Sequence, residues 1–285
     1  MLRTIAKLPN LPNVLRNVSG RRAAALLLAG AVATTYAAVR VYASPAGDET
    51  SPVPVVVELF TSEGCSSCPP ADTLLRKLDA LQPIKGVEVI GVEEHVDYWN
   101  QDGWVDPYSA LEWTYRQREY VAKFKDATAY TPQMIVDGDK EMVNSSAAQV
   151  VNAIRQSAQQ MKVQVSLTPQ APDGNDAQQF EVRVANAAGA AQQGKADVWL
   201  AVTEQDLQMD VTGGENKGRM LQHAAIVRLL EKIGSISSKD KSPFASESRV
   251  KFKSSWKKPN LRIVVFVQDH KSMRIVGAAS AKVTS

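Results

Sequence analysis

Val55-Val56-Val57-Glu58-Leu59-Phe60-Thr61-Ser62-Glu63-Gly64-Cys65-Ser66-Ser67-Cys68-Pro69-Pro70-Ala71-Asp72-Thr73-Leu74-Leu75-Arg76-Lys77-Leu78 changes its hydrophobic period once, and its two cysteines stand where the change occurs. Upstream, a short unbroken run of β-branched, aliphatic and aromatic residues predicts a strand buried on both faces, with Glu58 its one polar interruption. Downstream, Pro69 and Pro70 occupy positions that a first helical turn tolerates, and apolar residues then recur at helical spacing. A second apolar run, Val87 to Val92, predicts another buried strand. Strand, helix and strand in that order predict a parallel βαβ unit.

Further along, Asp106-Pro107 opens a helix expected to reach about Phe124. Tyr130-Thr131-Pro132-Gln133-Met134-Ile135-Val136-Asp137-Gly138 reads as a strand started by proline and closed by an Asp-Gly hairpin turn. Ser145-Ser146 caps a last helix running to about Gln160. From Met161 the pattern turns to short apolar runs separated by Gly, Asn, Asp and Pro: Val163–Leu167, Phe180–Val184, Val198–Thr203, Lys251–Lys253, Ile263–Val267 and Ile275–Ala279. These predict a second, all-β, sandwich-like domain over 161–285. The spacing of Met220–Ile233 fits a helix or a long strand, and its strand neighbours favour the strand. Gly213-Gly214-Glu215-Asn216-Lys217-Gly218-Arg219 lacks the Gly-Lys-Ser/Thr ending of a phosphate loop and reads as a long hairpin turn, with an interdomain or partner contact as the alternative.

With 285 residues, 44% of them apolar, the chain can bury two cores. Its formal charge of +3 is carried by the first 43 residues, which hold Arg3, Lys7, Arg16, Arg21, Arg22 and Arg40 and no acid. Without those six of the 33 Lys and Arg, 27 basic residues face 30 acidic ones. The remainder is slightly acidic and has no basic stripe, which excludes nucleic acid as a partner. Arg21-Arg22 followed by the apolar run Ala23–Val39 and closed by Val41-Tyr42-Ala43 predicts an export signal over 1–43. An uncleaved membrane tether through 23–39 and a mitochondrial presequence are the alternatives. Polar, proline-punctuated residues 44–52 form a linker to a first domain over 53–160. The compartment expected is the periplasm or the exterior.

Only two cysteines exist, three positions apart, so neither staples a distant part of the fold. Disulfide exchange needs a thiolate and a partner within bonding distance, and a helix N-terminus lowers a thiol's pKa. The spacing therefore points to a redox pair, with Cys65 exposed as attacker and Cys68 as resolver. Glu63 opposes activation by adding negative charge nearby. Burial of Glu58 would raise its pKa and suit it as proton carrier for Cys68; an edge position facing solvent is the alternative. His95-Val96-Asp97-Tyr98-Trp99 ends a strand, where α/β sheets place sites, so His95, Asp97 and Trp99 are candidate substrate-groove residues. A packed corner held by a His–Asp hydrogen bond is the competing reading. Zinc calls for about four ligands, and the chain has no second cysteine pair and only His95, His223 and His270, so no metal or other cofactor is assigned.

These stretches, together with Gly214-Glu215-Asn216, Gly218-Arg219, His223 and Phe266-Val267-Gln268-Asp269, resemble a family of secreted thioredoxin-like proteins of unassigned function. The resemblance implies an α/β fold, a thioredoxin-like domain followed by an all-β domain. It also implies a cis Pro132 beside Cys65, with the Thr131 backbone free to pair with an incoming peptide. One departure from the family's pattern is Glu93-Glu94 before His95, which adds acid near the site. The expected function is exchange with protein thiols or a redox partner protein. The rivals are a copper- or partner-binding module using Cys65, Cys68 and His95, and a scaffold without catalysis.

Overall fold

A computed structural model describes residues 51–125, 128–174, 176–185, 187–191 and 194–284. The period change opens the fold as the sequence requires: β1 (Val53–Thr61), the cysteine turn, α1 (Pro69–Leu81) and β2 (Val87–His95). Strands β1 and β2 pair in parallel from Val53/Val87 to Thr61/His95. Helix α2 spans Leu111–Phe124, later than Asp106-Pro107 promised, because residues 106–110 form turns instead. Strand β3 (Gln133–Val136) runs antiparallel to β1 and turns into β4 (Lys140–Glu141). Asp137 and Gly138 both hold positive φ in that turn, and a Cβ on Gly138 would lie 2.1 Å from the Met273 carbonyl oxygen. Only glycine fits there. Ser146 caps α3 (Ala147–Ala158) with a capping box shared with Gln149.

The second half follows as β5 (Val165–Pro172), β6 (Ala177–Val184), α4 (Ala187–Ala190), β7 (Lys195–Glu204), β8 (Leu207–Asp210), β9 (Met220–His223), β10 (Ile226–Ser237), β11 (Phe244–Lys251), β12 (Leu261–Asp269) and β13 (Ile275–Lys282). Met220–Ile233 is extended, as its neighbours suggested, but divides into β9 and β10 at Ala224-Ala225, where Ala225 has a φ of 61°.

The expected fold class is overturned. In place of a thioredoxin-like α/β domain followed by a β sandwich, the molecule is mostly β and built on one mixed eight-stranded sheet, in the order β13-β12-β7-β10-β2-β1-β3-β4. The join is made by β10 lying parallel to β2, with Ile226 opposite Glu93 and the Glu93 N–H donating to the Ala225 carbonyl at 2.9 Å. Both faces of this sheet are covered. Leu75 and Leu78 of α1 and Ile154 of α3 pack on Val55, Val57, Leu59 and Val89. Beyond them, Phe180 and Val182 of the small sheet β11-β6-β5 close over Val198, Leu200, Ile263 and Val265. On the opposite face Trp113 of α2 meets Val56, Ile90, Val92, Ala201, Val264 and Phe266. Each fully buried aliphatic or aromatic side chain contributes about 1.5–3 kcal/mol, and the Trp113 cluster, which combines Val56 and Ile90 with Ala201 and Val264, holds strands of both halves in one sheet.

The export signal, the tether through 23–39 and most of the linker lie outside the described residues. Among the described residues no helix is long and apolar enough to cross a membrane.

Candidate functional site

The cysteines sit in the turn between β1 and α1. Cys65 N–H donates to the Ser62 carbonyl and Cys68 N–H to the Cys65 carbonyl, each at 3.2 Å, so the chain coils before the helix starts. Cys68 occupies the α1 N-cap position, and its carbonyl accepts from Ala71 N–H at 2.9 Å and Asp72 N–H at 3.2 Å. The two sulfurs form a disulfide, with the Cα atoms 5.5 Å apart.

Contrary to the expectation for Cys65, both cysteines are fully buried, while Ser66 and Ser67 between them are exposed. The cover is the 211–219 loop joining β8 to β9. Asn216 Nδ2 donates to the carbonyls of Glu63 (2.8 Å) and Cys65 (2.9 Å), and Glu215 accepts from Ser66 N–H at 3.0 Å. Gly213 anchors this strap, because a Cβ there would stand 2.1 Å from the Gly103 carbonyl oxygen. The turn read from sequence is thus also a lid on the cysteines, in line with its alternative reading as a contact to the first half of the chain.

Next to the pair, Ser67 Oγ lies 3.3 Å from Cys65 Sγ and 3.5 Å from the Thr131 carbonyl oxygen. The Thr131–Pro132 peptide bond is cis. Trp99 Nε1 donates to Thr131 Oγ1 at 2.8 Å, so Trp99, Thr131 and Pro132 do gather at the cysteine turn. A pocket of about 300 Å³ opens beside them between Ser67, Pro70, Leu74, Pro132, Met142 and Asn144.

Glu58 is buried as expected but serves another group. On the α2 face of the sheet it accepts from Arg116 at 2.8 and 2.5 Å and from the Tyr120 hydroxyl, so it is no proton carrier for Cys68, which lies with α1 on the other face. Arg116 also stands 3.3 Å from Glu94, whose carboxyl burial pushes well above the usual range despite the guanidinium. The acid on the cysteine side is Asp72, one turn into α1. Its carboxylate takes a 2.6 Å hydrogen bond from Thr61, and burial, followed by repulsion from Glu93, lifts its pKa to about 7. Sequence reasoning missed it, although Cys68 and Asp72 share the i, i+4 spacing of one helix face.

His95 does not line a groove. It is buried at the end of β2, with Nδ1 2.7 Å from Asp106 and Nε2 3.1 Å from Glu93. Burial disfavours its cation, yet Asp106 and Glu93 hold its pKa well above the ordinary histidine value. Asp97 is not its partner, but accepts from Thr114 at 2.6 Å. His223, at the end of β9, approaches Glu93 at 2.7 Å through Nδ1 and Glu63 at 3.4 Å through Nε2. Burial lowers its basicity, but Glu93 and Glu63 outweigh that and bring it to about 9.

Comparison with solved structures places this architecture among known ones. A crystal structure of a protein from Agrobacterium tumefaciens matches over 84% of this chain and 97% of its own, at 28% identity and a TM-score of 0.61. HBP35 of Porphyromonas gingivalis matches over 83% of this chain and 77% of its own, at 14% identity and a TM-score of 0.59, and so shares the fold alone. No curated protein matches. The family described as "Protein of unknown function (DUF1223)" matches residues 56–268, a span that contains the cysteine turn, the strap and both buried histidines, and the chain belongs to that family.

Proposed function

We propose that the chain is an exported thiol–disulfide oxidoreductase acting on protein thiols through Cys65 and Cys68. The observation that carries this reading is the disulfide itself: the chain's only two cysteines, bonded at a helix start, beside an open pocket lined by Ser67 and Pro132. A bridge that serves stability gains most by closing a long loop, and a separation of three residues constrains the unfolded chain by only about 2 kcal/mol, less than half of what a loop of about 100 residues would give.

In the oxidising direction, a substrate thiolate attacks Cys65 Sγ, the Cys65–Cys68 bond breaks, and the electron pair leaves on Cys68. The protonated Asp72 carboxyl supplies the proton that Cys68 takes up. A second substrate thiol, deprotonated by solvent, then attacks the substrate sulfur, forming the substrate disulfide and expelling Cys65, which takes a proton from water. Two thiols have become one disulfide, and the pair has taken two electrons and two protons. A reducing partner runs the steps backwards. The Ser67 hydroxyl, already beside Cys65 Sγ, stabilises that thiolate, and the α1 N-terminus favours the one on Cys68. Export rests on the basic, acid-free start followed by the apolar run 23–39.

A second reading draws on the complete burial of both sulfurs: a scaffold whose disulfide stays shut beneath the strap. Cysteine trapping separates the two. Under exchange, Cys68→Ala accumulates a mixed disulfide through Cys65 with protein substrates while Cys65→Ala accumulates little. Equal trapping by the two variants, or none, refutes exchange.

A further inference from the structure

We propose that Glu93, His95 and His223 form a binding site for one divalent transition-metal ion of the zinc class, separate from the cysteines. The three residues are fully buried, and one ligand atom from each lies within 4.8 Å of the others. Glu93 Oε1 is 3.1 Å from His95 Nε2 and 2.7 Å from His223 Nδ1. Ligands held about 2.0–2.1 Å from a tetrahedral ion stand roughly 3.3 Å apart, so the two contacts to Glu93 must lengthen by a few tenths of an ångström while the imidazole nitrogens, no more than 4.8 Å apart, draw together around the ion. Two imidazoles and a carboxylate are borderline donors of the kind zinc takes.

The surroundings supply the independent observations. A histidine that ligates a metal nearly always turns its other ring nitrogen to a carboxylate or carbonyl. Both histidines do so here. His95 Nδ1 meets Asp106 at 2.7 Å, and Asp106 is itself held by the N–H groups of Glu63 and Tyr108 at 2.8 and 2.9 Å. His223 Nε2 faces Glu63 Oε1 at 3.4 Å, and neither of these buried atoms has a hydrogen-bond partner among the described residues. The remaining Glu93 oxygen accepts from Ala224 N–H at 3.2 Å, which fixes the carboxylate between the rings.

Three sealed carboxylates, Glu63, Glu93 and Asp106, call for positive charge. Two imidazoliums would supply it with their ring centroids only 4.8 Å apart, like charge against like charge in a dry interior. One divalent ion supplies the same charge and leaves both rings neutral, each donating its remaining N–H to the carboxylate already facing it. The ion would tie β2 to the end of β9, and through Glu63 to the cysteine turn.

The test uses the oxidised protein, unfolded with a chelator, refolded with Zn²⁺ alone, desalted and analysed for zinc. The expected result is about one zinc per chain, a higher melting temperature with zinc than without, and unchanged loading in Cys65→Ser/Cys68→Ser. His223→Gln and Glu93→Gln should weaken binding by about 100-fold or more, and Glu63→Gln by about 10- to 100-fold. The proposal is overturned if the folded wild-type protein holds no zinc and melts at the same temperature with and without it. It is equally overturned if zinc is lost with the cysteines and kept in His223→Gln. The wild-type melting comparison stands whether or not any variant folds.

Discussion

Replacing Asn216 with alanine should make the disulfide far easier to reach. Its side-chain amide holds the strap down through two buried hydrogen bonds, to the Glu63 and Cys65 carbonyls, at 2.8 and 2.9 Å. A buried hydrogen bond contributes about 1 kcal/mol net, so the pair holds the strap closed by about 2 kcal/mol. Each 1.4 kcal/mol is a factor of ten, so losing both raises the open population about 30-fold. The Glu215 contact to Ser66 is exposed and persists in the variant, as does the Gly213 anchor against Gly103. If opening and closing are fast against chemistry, the second-order rate of reduction by dithiothreitol scales with the open population and rises by the same factor. The assay follows thiol release in the folded protein, with circular dichroism confirming that Asn216→Ala retains its structure. An unchanged rate in a folded variant refutes the strap as the gate to Cys65.

Asp72 has a pH signature with a defined sign. In the unfolded chain its carboxyl loses a proton near 3.8, whereas in the fold it keeps it to about 7, facing Thr61 and the charges of Glu93, His223 and His95. The folded state therefore binds the extra proton across that window, and stability falls as pH rises through it, by up to about 4 kcal/mol in all. Asp72→Asn should gain stability relative to wild type between pH 4 and 8 in urea titrations; a constant gap contradicts the buried-acid assignment. Arg116→Met removes the guanidinium partner of buried Glu58 and should cost about 3–5 kcal/mol, without changing thiol exchange per folded molecule. A loss under about 1 kcal/mol, the size of an exposed pair, contradicts a buried Arg116–Glu58 pair.

What was legible in the sequence was local. The shift from continuous apolar residues to helical spacing around Cys65–Cys68 located β1 and α1, the Asp137-Gly138 pair located the turn after β3, and Ser146 located the start of α3. Partner choice was not legible. Val198–Thr203 and Ile263–Val267 read as strands, but a run buried on both faces does not say which strand lies beside it, so β10 joining β2 went unseen and two domains were expected. The alternation in β1 put Glu58 and Leu59 on opposite faces without saying that α2 would cover one and α1 the other. Hence Glu58 was assigned to the cysteines and Asp72 overlooked. The strap contact joins Asn216 to Cys65 across 151 positions, and Glu93 meets His223 across 130. Only the topology brings these residues together.

The reversibility of the Cys65–Cys68 bond is the claim on which the functional account depends. Its most direct test equilibrates the folded protein in thiol–disulfide buffers of graded potential, quenches with an alkylating agent, and counts modified cysteines by mass. A reversible pair gives a two-electron transition above about −300 mV, the limit below which structural disulfides generally lie, with the same midpoint from the oxidised and the reduced side. A bond that stays closed until the protein unfolds, or that fails to reform once opened, contradicts that claim.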